Sequence, residues 1–417
     1  MNENNPLRIG LIGFGCVGQG FYDIVRQQPG LNLAVTRIAV KTPGKPRSLP
    51  AHHFTYHADE LLADPALDLL VEVIDDAAEA FRLVSVALRQ GRRVATANKA
   101  MLARHLPELV QLQAEFGGAL LYEAAVCGSI PVVRTLDQYF SHEPLHSVSG
   151  IFNGSSNYVL TRMSEDGSSY APALAEAQAQ GFAETDPGLD MGAFDPRSKA
   201  VILAAHAYGV FLAADEVLNL GIEGIGAADI ARAAAQGQKI KVVASLARLP
   251  NGRLTALVTP QLLGPESPLY GVEREFNGVV VEGAFAGTQF LQGRGAGGHP
   301  TGSAVLADVL ALRGGLRYAY TKRATAPAVQ LTHGLELDAY VSHPDAGVLR
   351  EVLTWLELPA EALRPDNAGG AHATGPVALQ QLWSWRKELR ANGVFVARTG
   401  EVRVAAPVTE AAATAWA

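Results

Sequence analysis

A run of carboxylates that ends in a lysine is the part of this sequence whose residue types suit proton transfer. The residues are Glu184, Asp186, Asp190, Asp195 and Lys199, with Pro196 after the last acid. Aspartate followed by proline is typical of a helix start, so we expect Asp195 to be the N-cap and Lys199 to lie in the first turn. The helix dipole disfavours a positive charge there, which suits a lysine that must give and take a proton. The acids would hold a substrate ammonium group; the alternative is a solvated acidic loop before a surface helix.

A glycine-rich motif near the start of the chain predicts a dinucleotide site. Its residues, in G-x-G-x-x-G order, are Gly13, Phe14, Gly15, Cys16, Val17 and Gly18. The first glycine permits a tight turn, the second lets the backbone approach a pyrophosphate, and the third allows close packing of helix on strand. The motif lies between a strand-like apolar run at residues 7–12 and a helical pattern at 17–25. That context favours a nucleotide loop over a glycine turn without function.

The end of the second predicted strand, residues 33–40, bears on which nucleotide would bind. An enzyme that prefers NAD usually has an acid there for the ribose hydroxyl. This chain instead has Lys41, with Lys45 and Arg47 close behind. Positive charges favour the 2′-phosphate of NADPH, so we predict NADPH or NADP+ as the cofactor, with NAD also allowed. The alternative is a solvated basic loop.

The elements that must carry these residues alternate between strands and helices. Further strands are predicted at 67–74, 93–96 and 119–122, and a helix at 77–90. Such alternation is typical of a parallel, doubly wound sheet. The predicted fold class is therefore α/β, with an NAD(P)-binding Rossmann domain over residues 1–134.

The middle of the chain, residues 135–318, mixes both kinds of element. Helices are expected at 198–208, 227–246 and 301–312, and a strand at 278–286. We predict an α+β domain here, and the family resemblance described below implies that it binds substrate and carries the dimerisation surface.

Residues 330–408 form the third predicted domain, with the order β-α-β-β-α-β. Strands are expected at 335–342, near 362–364, near 372–374 and at 394–404, and helices at 346–356 and 376–389. The run from Pro344 to Leu349 resembles the turn that opens the first helix of ACT domains, without the usual proline before the glycine. We expect a small, degenerate ACT-like α+β module; the alternative is a dimerisation or packing extension.

Composition limits the classes of function. The 417 residues are 48% hydrophobic and 18% charged, which is typical of a globular protein with two or three domains. A net charge of −7 argues against nucleic-acid and anionic-membrane partners. The two cysteines, Cys16 and Cys127, are far apart in sequence, which fits a reducing compartment. The first residues lack a signal-peptide pattern and no apolar run is long enough to span a bilayer, so we expect a cytoplasmic protein.

Four segments together resemble the homoserine dehydrogenase family. They are A-N-K-A at 97–100, Y-E-A-A-V-C-G-S-I-P at 122–131, G-I-F-N-G-S-S-N-Y at 150–158, and the run of acids from residue 181 to Lys199. Their order and spacing match over about residues 7–318, and the acid–lysine spacing is highly specific. On these segments the chain is identified as similar to that family.

The resemblance implies a reversible reduction of L-aspartate 4-semialdehyde to L-homoserine by hydride transfer from NADPH, a step of threonine and methionine biosynthesis. In the family, the lysine matching Lys199 is the proposed proton donor and acceptor, and the one matching Lys99 lies between cofactor and substrate. Carboxylates matching Glu184, Asp190 and Asp195 bind or orient the substrate amine and the catalytic lysine. The resemblance also implies a homodimer or homotetramer.

Two other classes of protein stay open at this point. A dehydrogenase of another small carbonyl compound would keep the glycine turn and the lysines but not the whole acid–lysine spacing. A non-catalytic nucleotide-binding sensor would be expected to lack Lys99 or Lys199, and both are present.

The resemblance extends to a monovalent-cation site and to a second glycine loop. Glu123, Val126, Gly128 and Ile130 match positions that coordinate sodium through one carboxylate and backbone carbonyls. The alternative is a rigid turn in which Glu123 accepts backbone hydrogen bonds. Gly297 lies in the loop that returns to the nucleotide in the family, so we expect it to contact the cofactor.

Some positions depart from the family pattern, and Ser129 and Ser156 are among them. Asp75 and Asp76 stand where two glycines are usual, and their charges could weaken phosphate binding by repulsion. Cys127 replaces a usual glycine. Because the expected reaction needs no covalent intermediate, Cys127 is predicted to pack rather than to act as a nucleophile.

Overall fold

The computed structural model describes residues 5–325, 329–366 and 370–404, and its first part is a six-stranded parallel sheet. The strands are β1 (Leu7–Ile12), β2 (Leu33–Ala39), β3 (Phe54–Thr55), β4 (Leu69–Glu72), β5 (Arg93–Thr96) and β6 (Ala119–Leu121). The helices are α1 (Cys16–Gln27), α2 (Asp59–Ala63), α3 (Ala77–Arg89) and α4 (Lys99–Phe116). The strand order β3-β2-β1-β4-β5-β6 is that of a dinucleotide-binding fold, which confirms the α/β prediction. The short β3 was not predicted.

The middle of the chain forms a second, mixed sheet. Its strands are β7 (Leu145–Ile151), β8 (Leu218–Asn219), β9 (Lys239–Arg248), β10 (Leu254–Leu263), β11 (Phe276–Gly283) and β12 (Gly287–Arg294). The helices are α5 (Val132–Arg134), α6 (Gly154–Asp166), α7 (Tyr170–Ala179), α8 (Gly188–Met191), α9 (Phe194–Tyr208), α10 (Ala227–Ala235), α11 (Gly298–Arg313) and α12 (Thr321–Thr325). Neighbouring strands run β12-β11-β7-β9-β10, with β8 beside β10.

The helix predicted over 227–246 is wrong in its second half. The helix α10 ends at Ala235, and Gly237 follows with φ of 69°. Residues Lys239–Arg248 are instead β9, which pairs with β7 and β10 and is buried along most of its length. A strand covered on both sides lacks the alternation that marks a half-exposed one, so its apolar run resembles a helix in sequence.

Helix α11 returns from the middle of the chain to pack on α1. A Cβ on Gly20 would lie 2.2 Å from the Gly298 carbonyl oxygen, and one on Gly302 would lie 2.5 Å from the Phe21 nitrogen. Glycine at these positions therefore permits the close approach of the two helices. Part of the 135–318 segment thus belongs to the nucleotide-binding half in space.

The C-terminal module has the predicted β-α-β-β-α-β order. Its elements are β13 (Leu335–His343), α13 (Ala346–Trp355), β14 (Arg364–Pro365), β15 (Ala371–Ala378), α14 (Leu379–Ala391) and β16 (Phe395–Val404). The strand order is β16-β13-β15-β14, and β16 also pairs with β10 through Gln261 and Arg398, so the second sheet continues into this module.

The apolar face of the C-terminal module is covered by the same chain. Leu335, Leu349 and Leu353 are buried in one cluster with Leu218 and Leu257 from the middle of the chain. Strands β8 and β10 of the middle domain therefore supply part of the cover of this face, because the second sheet continues into the module. Within the described ranges, none of the helices combines the length and apolar character that crossing a membrane requires.

Candidate active site

The predicted proton-transfer helix is α9, and its start differs from the prediction. Ala193, not Asp195, is the N-cap, with φ of 60°, and no side chain caps the helix. Asp195 is the second residue of the helix, and its carboxylate contacts two lysines instead of capping. Lys199 accordingly lies in the second turn, beyond the first turn where the helix dipole acts most strongly. Its environment is therefore set by Asp195 rather than by the dipole.

Asp195 joins two lysines that come from different parts of the chain. Its Oδ1 lies 2.5 Å from Lys99 Nζ, and its Oδ2 lies 2.8 Å from Lys199 Nζ. Lys199 Nζ also donates to the Phe152 carbonyl at 2.5 Å. Asp195 and Lys199 are buried, whereas the Lys99 side chain is 46% exposed. The cluster therefore has one face that a small molecule can reach.

The charges of this cluster follow from its contacts. Burial alone would raise the pKa of Asp195, but the ammonium groups of Lys199 and Lys99 hold that pKa well below its usual value. Attraction to Asp195 outweighs burial and raises the pKa of Lys99, with smaller contributions from Asp190 and Glu184. Burial and repulsion from Asp195 raise the pKa of Asp190. At neutral pH Asp195 is therefore a buried carboxylate stabilised by two lysines.

Asn153 completes the cluster, although the sequence analysis assigned it no role. Its Nδ2 donates to Asp190 Oδ1 at 2.7 Å and to Asp195 Oδ2 at 2.9 Å. Its Oδ1 accepts from the Ser156 backbone N–H at 2.8 Å, so the same side chain caps α6. The available signal was its position in the 150–158 segment that carries the family resemblance. The amide holds the two carboxylates side by side.

The other two predicted acids lie further out. Glu184 and Asp186 are exposed. Asp186 accepts from the Gly188 N–H at 3.1 Å and closes a turn before α8. Glu184 acts on the cluster through space, by helping to raise the pKa of Lys99. The structure thus brings Asp190 and Asp195 into direct contact with the cluster and leaves Glu184 at its edge.

A buried network at the ends of β4 and β5 positions Lys99. Asn98 is the N-cap of α4 and accepts from the Met101 N–H at 2.9 Å. Thr96 Oγ1 accepts from the Asn98 N–H at 3.0 Å and donates to Glu72. Burial raises the pKa of Glu72 to about 7. These contacts place Lys99, the first residue of α4, at the carboxyl edge of the parallel sheet, where ligands bind in such folds.

The glycine motif has the geometry that a dinucleotide needs. Gly13 has φ of 103°, which glycine adopts without strain. A Cβ on Gly18 would lie 2.4 Å from the Gly13 carbonyl oxygen, so glycine permits close packing of α1 on β1. A Cβ on Gly15 would meet nothing within 4 Å, and no side chain caps α1. The start of α1 thus presents backbone N–H groups to open space, which fits a pyrophosphate.

The remaining motif residues and the second glycine loop surround this opening. The Phe14 ring is buried and packs edge-on against Phe54. Cys16 and Val17 begin α1, and Cys16 is exposed. Gly297 is the N-cap of α11 with φ of 117°, and a Cβ on its neighbour Gly298 would lie 2.9 Å from the Cys16 carbonyl oxygen. The loop therefore lies against the first turn of α1, and a contact between Gly297 and the cofactor stays a prediction.

The predicted cations after β2 have different surroundings. Arg47 donates to the carbonyls of Thr42 at 2.7 Å and Lys45 at 2.9 Å, and its guanidinium lies 5.2 Å from the centre of the Phe54 ring. It therefore holds its own loop together. Lys41 is exposed two residues after the end of β2, near the position from which a cation could meet a ribose phosphate.

The two acids that depart from the family pattern follow β4. Asp76 is the N-cap of α3 and accepts from the N–H groups of Ala78 at 3.2 Å and Glu79 at 3.1 Å. The helix N-terminus thereby offsets its negative charge. Asp75 is exposed beside it, and nothing in the structure explains why an acid stands there.

Glu123 is buried and engaged with the backbone. Its two carboxylate oxygens each accept one N–H at 2.8 Å, from Val133 and from Arg134. Burial raises the pKa of Glu123 to about 7. The Ile130 carbonyl accepts from the Val132 N–H at 2.8 Å. These contacts match the rigid-turn alternative, and a cation would have to share Glu123 with two backbone donors.

The rest of the predicted cation loop is tightly packed. A Cβ on Gly128 would lie 2.5 Å from the Arg294 carbonyl oxygen, and Val126 is fully buried. Across the described residues, no three His, Cys, Asp or Glu side chains are grouped as metal ligands would be. Cys127 has φ of 55° and is buried, and burial raises the pKa of its thiol to about 12. These surroundings suit the predicted packing role.

The matches to known families cover both halves of this site. Residues 13–123 match the model of the NAD-binding domain of homoserine dehydrogenase, and residues 131–310 match the model of homoserine dehydrogenase itself. The homoserine dehydrogenase of Corynebacterium glutamicum is 40% identical over 314 residues, which cover 72% of this chain and 71% of that protein.

Solved structures are similar over an even larger part of the chain. The crystal structure of a homoserine dehydrogenase from Thiobacillus denitrificans gives a TM-score of 0.81 at 25% identity, covering 95% of this chain and 99% of that one. A hyperthermophilic archaeal homoserine dehydrogenase in complex with NADPH gives a TM-score of 0.65 at 26% identity, covering 75% and 99%.

Proposed function

The chain belongs to the homoserine dehydrogenase family of NAD(P)-dependent oxidoreductases that act on a CH–OH group, and we propose that it reduces L-aspartate 4-semialdehyde to L-homoserine with NADPH. The observation that carries the proposal is the contact of Asp195 with both Lys99 and Lys199. One carboxylate holds two ammonium groups beside each other, and one of those groups is reachable from outside. Such a pair suits a carbonyl oxygen that gains negative charge and then a proton.

The residues around the start of α1 fit the nucleotide. Gly15 leaves room for a pyrophosphate beside uncapped N–H groups, and Lys41 is exposed where a 2′-phosphate would add two negative charges. When bound, NADPH supplies the hydride to the carbonyl carbon. The NADPH preference itself is a proposal that rests on Lys41.

The chain's own groups then handle the oxygen and the amine. As the carbonyl oxygen becomes an alkoxide, Lys199 gives it a proton and later regains one from solvent. Lys99 stabilises the negative charge as it forms. Asp195 keeps both ammonium groups in place, and Asp190, with Glu184 at the edge, offers negative charge to the substrate ammonium. In the direction of homoserine oxidation, Lys199 takes the hydroxyl proton.

A direct assay tests the proposal. Purified protein is given L-homoserine with NADP+ and then with NAD+, and the absorbance of the reduced nicotinamide is followed. We expect turnover with L-homoserine, no turnover with D-homoserine, and higher kcat/KM with NADP+. Turnover of unrelated small alcohols without turnover of L-homoserine would favour a dehydrogenase of another carbonyl compound. Nucleotide binding without any turnover would favour a sensor.

The cation site is a separate proposal. We propose that Glu123 and the carbonyls of Val126, Gly128 and Ile130 take a monovalent cation such as sodium during turnover. The contacts of Glu123 with Val133 and Arg134 compete with that role, so the cation effect should be small. Assays in tetramethylammonium buffer, with and without added sodium, measure it.

The C-terminal module is proposed to be a degenerate ACT-like unit without a working effector site. We expect activity to be indifferent to millimolar threonine. Truncation before Leu335 should reduce solubility, because it exposes the leucines at 218 and 257 that the module covers. Strong threonine inhibition would instead indicate that the module has a working effector site.

We also propose a homodimer or homotetramer, which light scattering tests, and a cytoplasmic location, which suits the free thiols of Cys16 and Cys127.

A further inference from the structure

The last helix of the C-terminal module reaches the start of the active-site helix. Arg390, near the end of α14, donates from Nη2 to the Gly192 carbonyl at 3.0 Å, and its Nε lies 3.3 Å from Glu223 Oε1. Its guanidinium carbon lies 4.7 Å from the centre of the Phe194 ring. Gly192 and Phe194 flank Ala193, the N-cap of α9. One side chain of the module thus contacts both neighbours of that N-cap.

Ala193 is a point where the backbone needs support from its surroundings. Its φ of 60° lies in the left-handed region, which a residue with a Cβ rarely adopts. Asn219 Nδ2 donates to the Gly192 carbonyl at 2.6 Å, so that oxygen accepts from two side chains at once. A Cβ on Gly192 would lie 2.7 Å from the Gly188 carbonyl oxygen, which leaves no room for a larger residue. Several groups therefore stabilise this turn, and Arg390 is the one that belongs to the C-terminal module.

The position of this turn decides where Asp195 lies. Asp195 follows Ala193 by two residues and has to meet Lys99, which α4 carries at the edge of the other sheet. Because α4 and α9 carry the two residues separately, a rotation of the α9 start would move Asp195 Oδ1 away from Lys99 Nζ, which now lies 2.5 Å from it. Lys199 would be affected less, because it lies on the same helix as Asp195.

We propose that Arg390 is a positioning residue: by holding the Gly192–Phe194 turn, it sets Asp195 against Lys99. The inference rests on the proposed roles of Asp195 and the two lysines. An exposed ion pair between Arg390 and Glu223 alone would contribute little, since the Arg390 side chain is 38% exposed. The hydrogen bond to the Gly192 carbonyl and the contact with Phe194 are what give Arg390 its effect.

The test compares Arg390→Ala with Arg386→Ala. Arg386 is one turn earlier on α14 and lies over Trp383, so it is a matched control that lacks the contacts with the turn. In Arg390→Ala we expect kcat to fall about 10-fold, because small misplacements of catalytic groups are costly. The KM for NADP+ and the thermal midpoint should hardly change. Arg390→Lys keeps the charge but not the fork of donors, so it should recover only part of kcat.

Each outcome decides between positioning and plain stabilisation. Activities are divided by the NADPH-binding stoichiometry, so that loss of folded protein does not count as loss of kcat. An unchanged kcat in Arg390→Ala, an equal loss in Arg386→Ala, or a loss explained by a lower thermal midpoint would each overturn the proposal. Two parallel measurements separate this proposal from the proposed function. No turnover of L-homoserine by the parent protein would refute the proposed function, and near-normal turnover in Lys199→Ala would refute only the role of Lys199, whatever Arg390→Ala does.

Discussion

Two clusters in this protein combine buried carboxylates with cations, and their carboxylates reach different charge states. In the first, Asp195 has two lysines within 2.8 Å, and its pKa lies well below the usual value. In the second, Asp308 and Glu123 share one arginine: Arg134 Nη2 lies 2.9 Å from Asp308 Oδ1 but its Nε is 4.0 Å from Glu123. There burial raises the pKa of Asp308 to about 8 and that of Glu123 to about 7.

The difference shows that burial does not decide the charge of a carboxylate by itself. In both clusters burial favours the protonated carboxyl group, and the number of cations in contact with each carboxylate decides the outcome. Two lysines in contact with one carboxylate keep Asp195 ionised and ready for chemistry. A surplus of carboxylates lets Asp308 retain a proton near neutral pH, which suits a structural role.

Lys199→Ala is the substitution in the first cluster that should lower activity most. Turnover should fall about 100-fold or more, the range typical of a general acid–base, while substrate affinity changes less. Steady-state kinetics from about pH 6 to pH 10 measure it. Near-normal turnover across that range would remove Lys199 from the mechanism.

Asn153→Asp adds a carboxylate to the first cluster, so that its carboxylates outnumber its lysines, as the carboxylates outnumber the arginine in the second cluster. The aspartate can still accept from the Ser156 N–H, so α6 keeps its cap, but a third carboxylate joins Asp190 and Asp195. Repulsion between neighbouring carboxylates raises their pKa values, so the acidic limb of the kcat/KM profile should move to higher pH. At neutral pH, kcat/KM should fall about 10-fold. Asn153→Ser is the control, because serine can also cap the helix and lacks the amide, but adds no charge. An unshifted acidic limb would contradict the charge argument.

Lys41→Asp changes a charge outside both clusters and so tests whether the effects are local. The preference for NADP+ over NAD+ should flatten or reverse, by about 10-fold in the kcat/KM ratio, because a carboxylate repels the 2′-phosphate and can accept from a ribose hydroxyl. The pH profile should stay that of the parent. Equal efficiency with both nucleotides in the parent protein would count against the role of Lys41.

Asp308→Asn is the smallest expected effect and addresses the second cluster. Because the pKa of Asp308 is raised on folding, its contribution to stability is full below the unfolded pKa and is lost as pH rises towards about 8. An asparagine does not titrate, so the thermal midpoint of the parent should fall relative to the variant by about 2 °C between about pH 5 and pH 9. A constant difference between the two midpoints would mean that Asp308 stays ionised throughout.

The sequence predicted what depends on local pattern. The parallel sheet, the glycine turn and the family were predicted and are confirmed, because strand–helix alternation and short motifs are local signals. The α9 start was not predicted correctly: Asp195 satisfies the rule for an N-cap, but two lysines distant in sequence compete for its carboxylate. The β9 strand was missed because full burial removes the alternation that identifies a strand.

Long-range contacts account for the rest. Asn153 contacts Asp195, which is 42 residues away in sequence, and Arg390 contacts Gly192, which is 198 residues away. Only the folded chain brings these residues together. The same holds for His206 on α9, whose ring is held 3.0 Å from Asp137 and 2.7 Å from the Tyr122 hydroxyl. The segment that carries the family resemblance includes Asn153, but a single sequence does not show which distant residues form each of these contacts.

The place of β16 has a consequence for how the protein folds during synthesis. This strand lies between β10 and β13, so residues made late in synthesis join strands that are made earlier. Residues 395–404 must therefore leave the ribosome before the sheet is complete, and until then the part of the β10 edge beyond its pairing with β8 is open to other chains. Arg390 emerges only just before that strand, so a nascent chain has its nucleotide fold long before the active-site turn is fully held. Interrupted translation should then leave products that bind the nucleotide and aggregate, rather than slow enzymes.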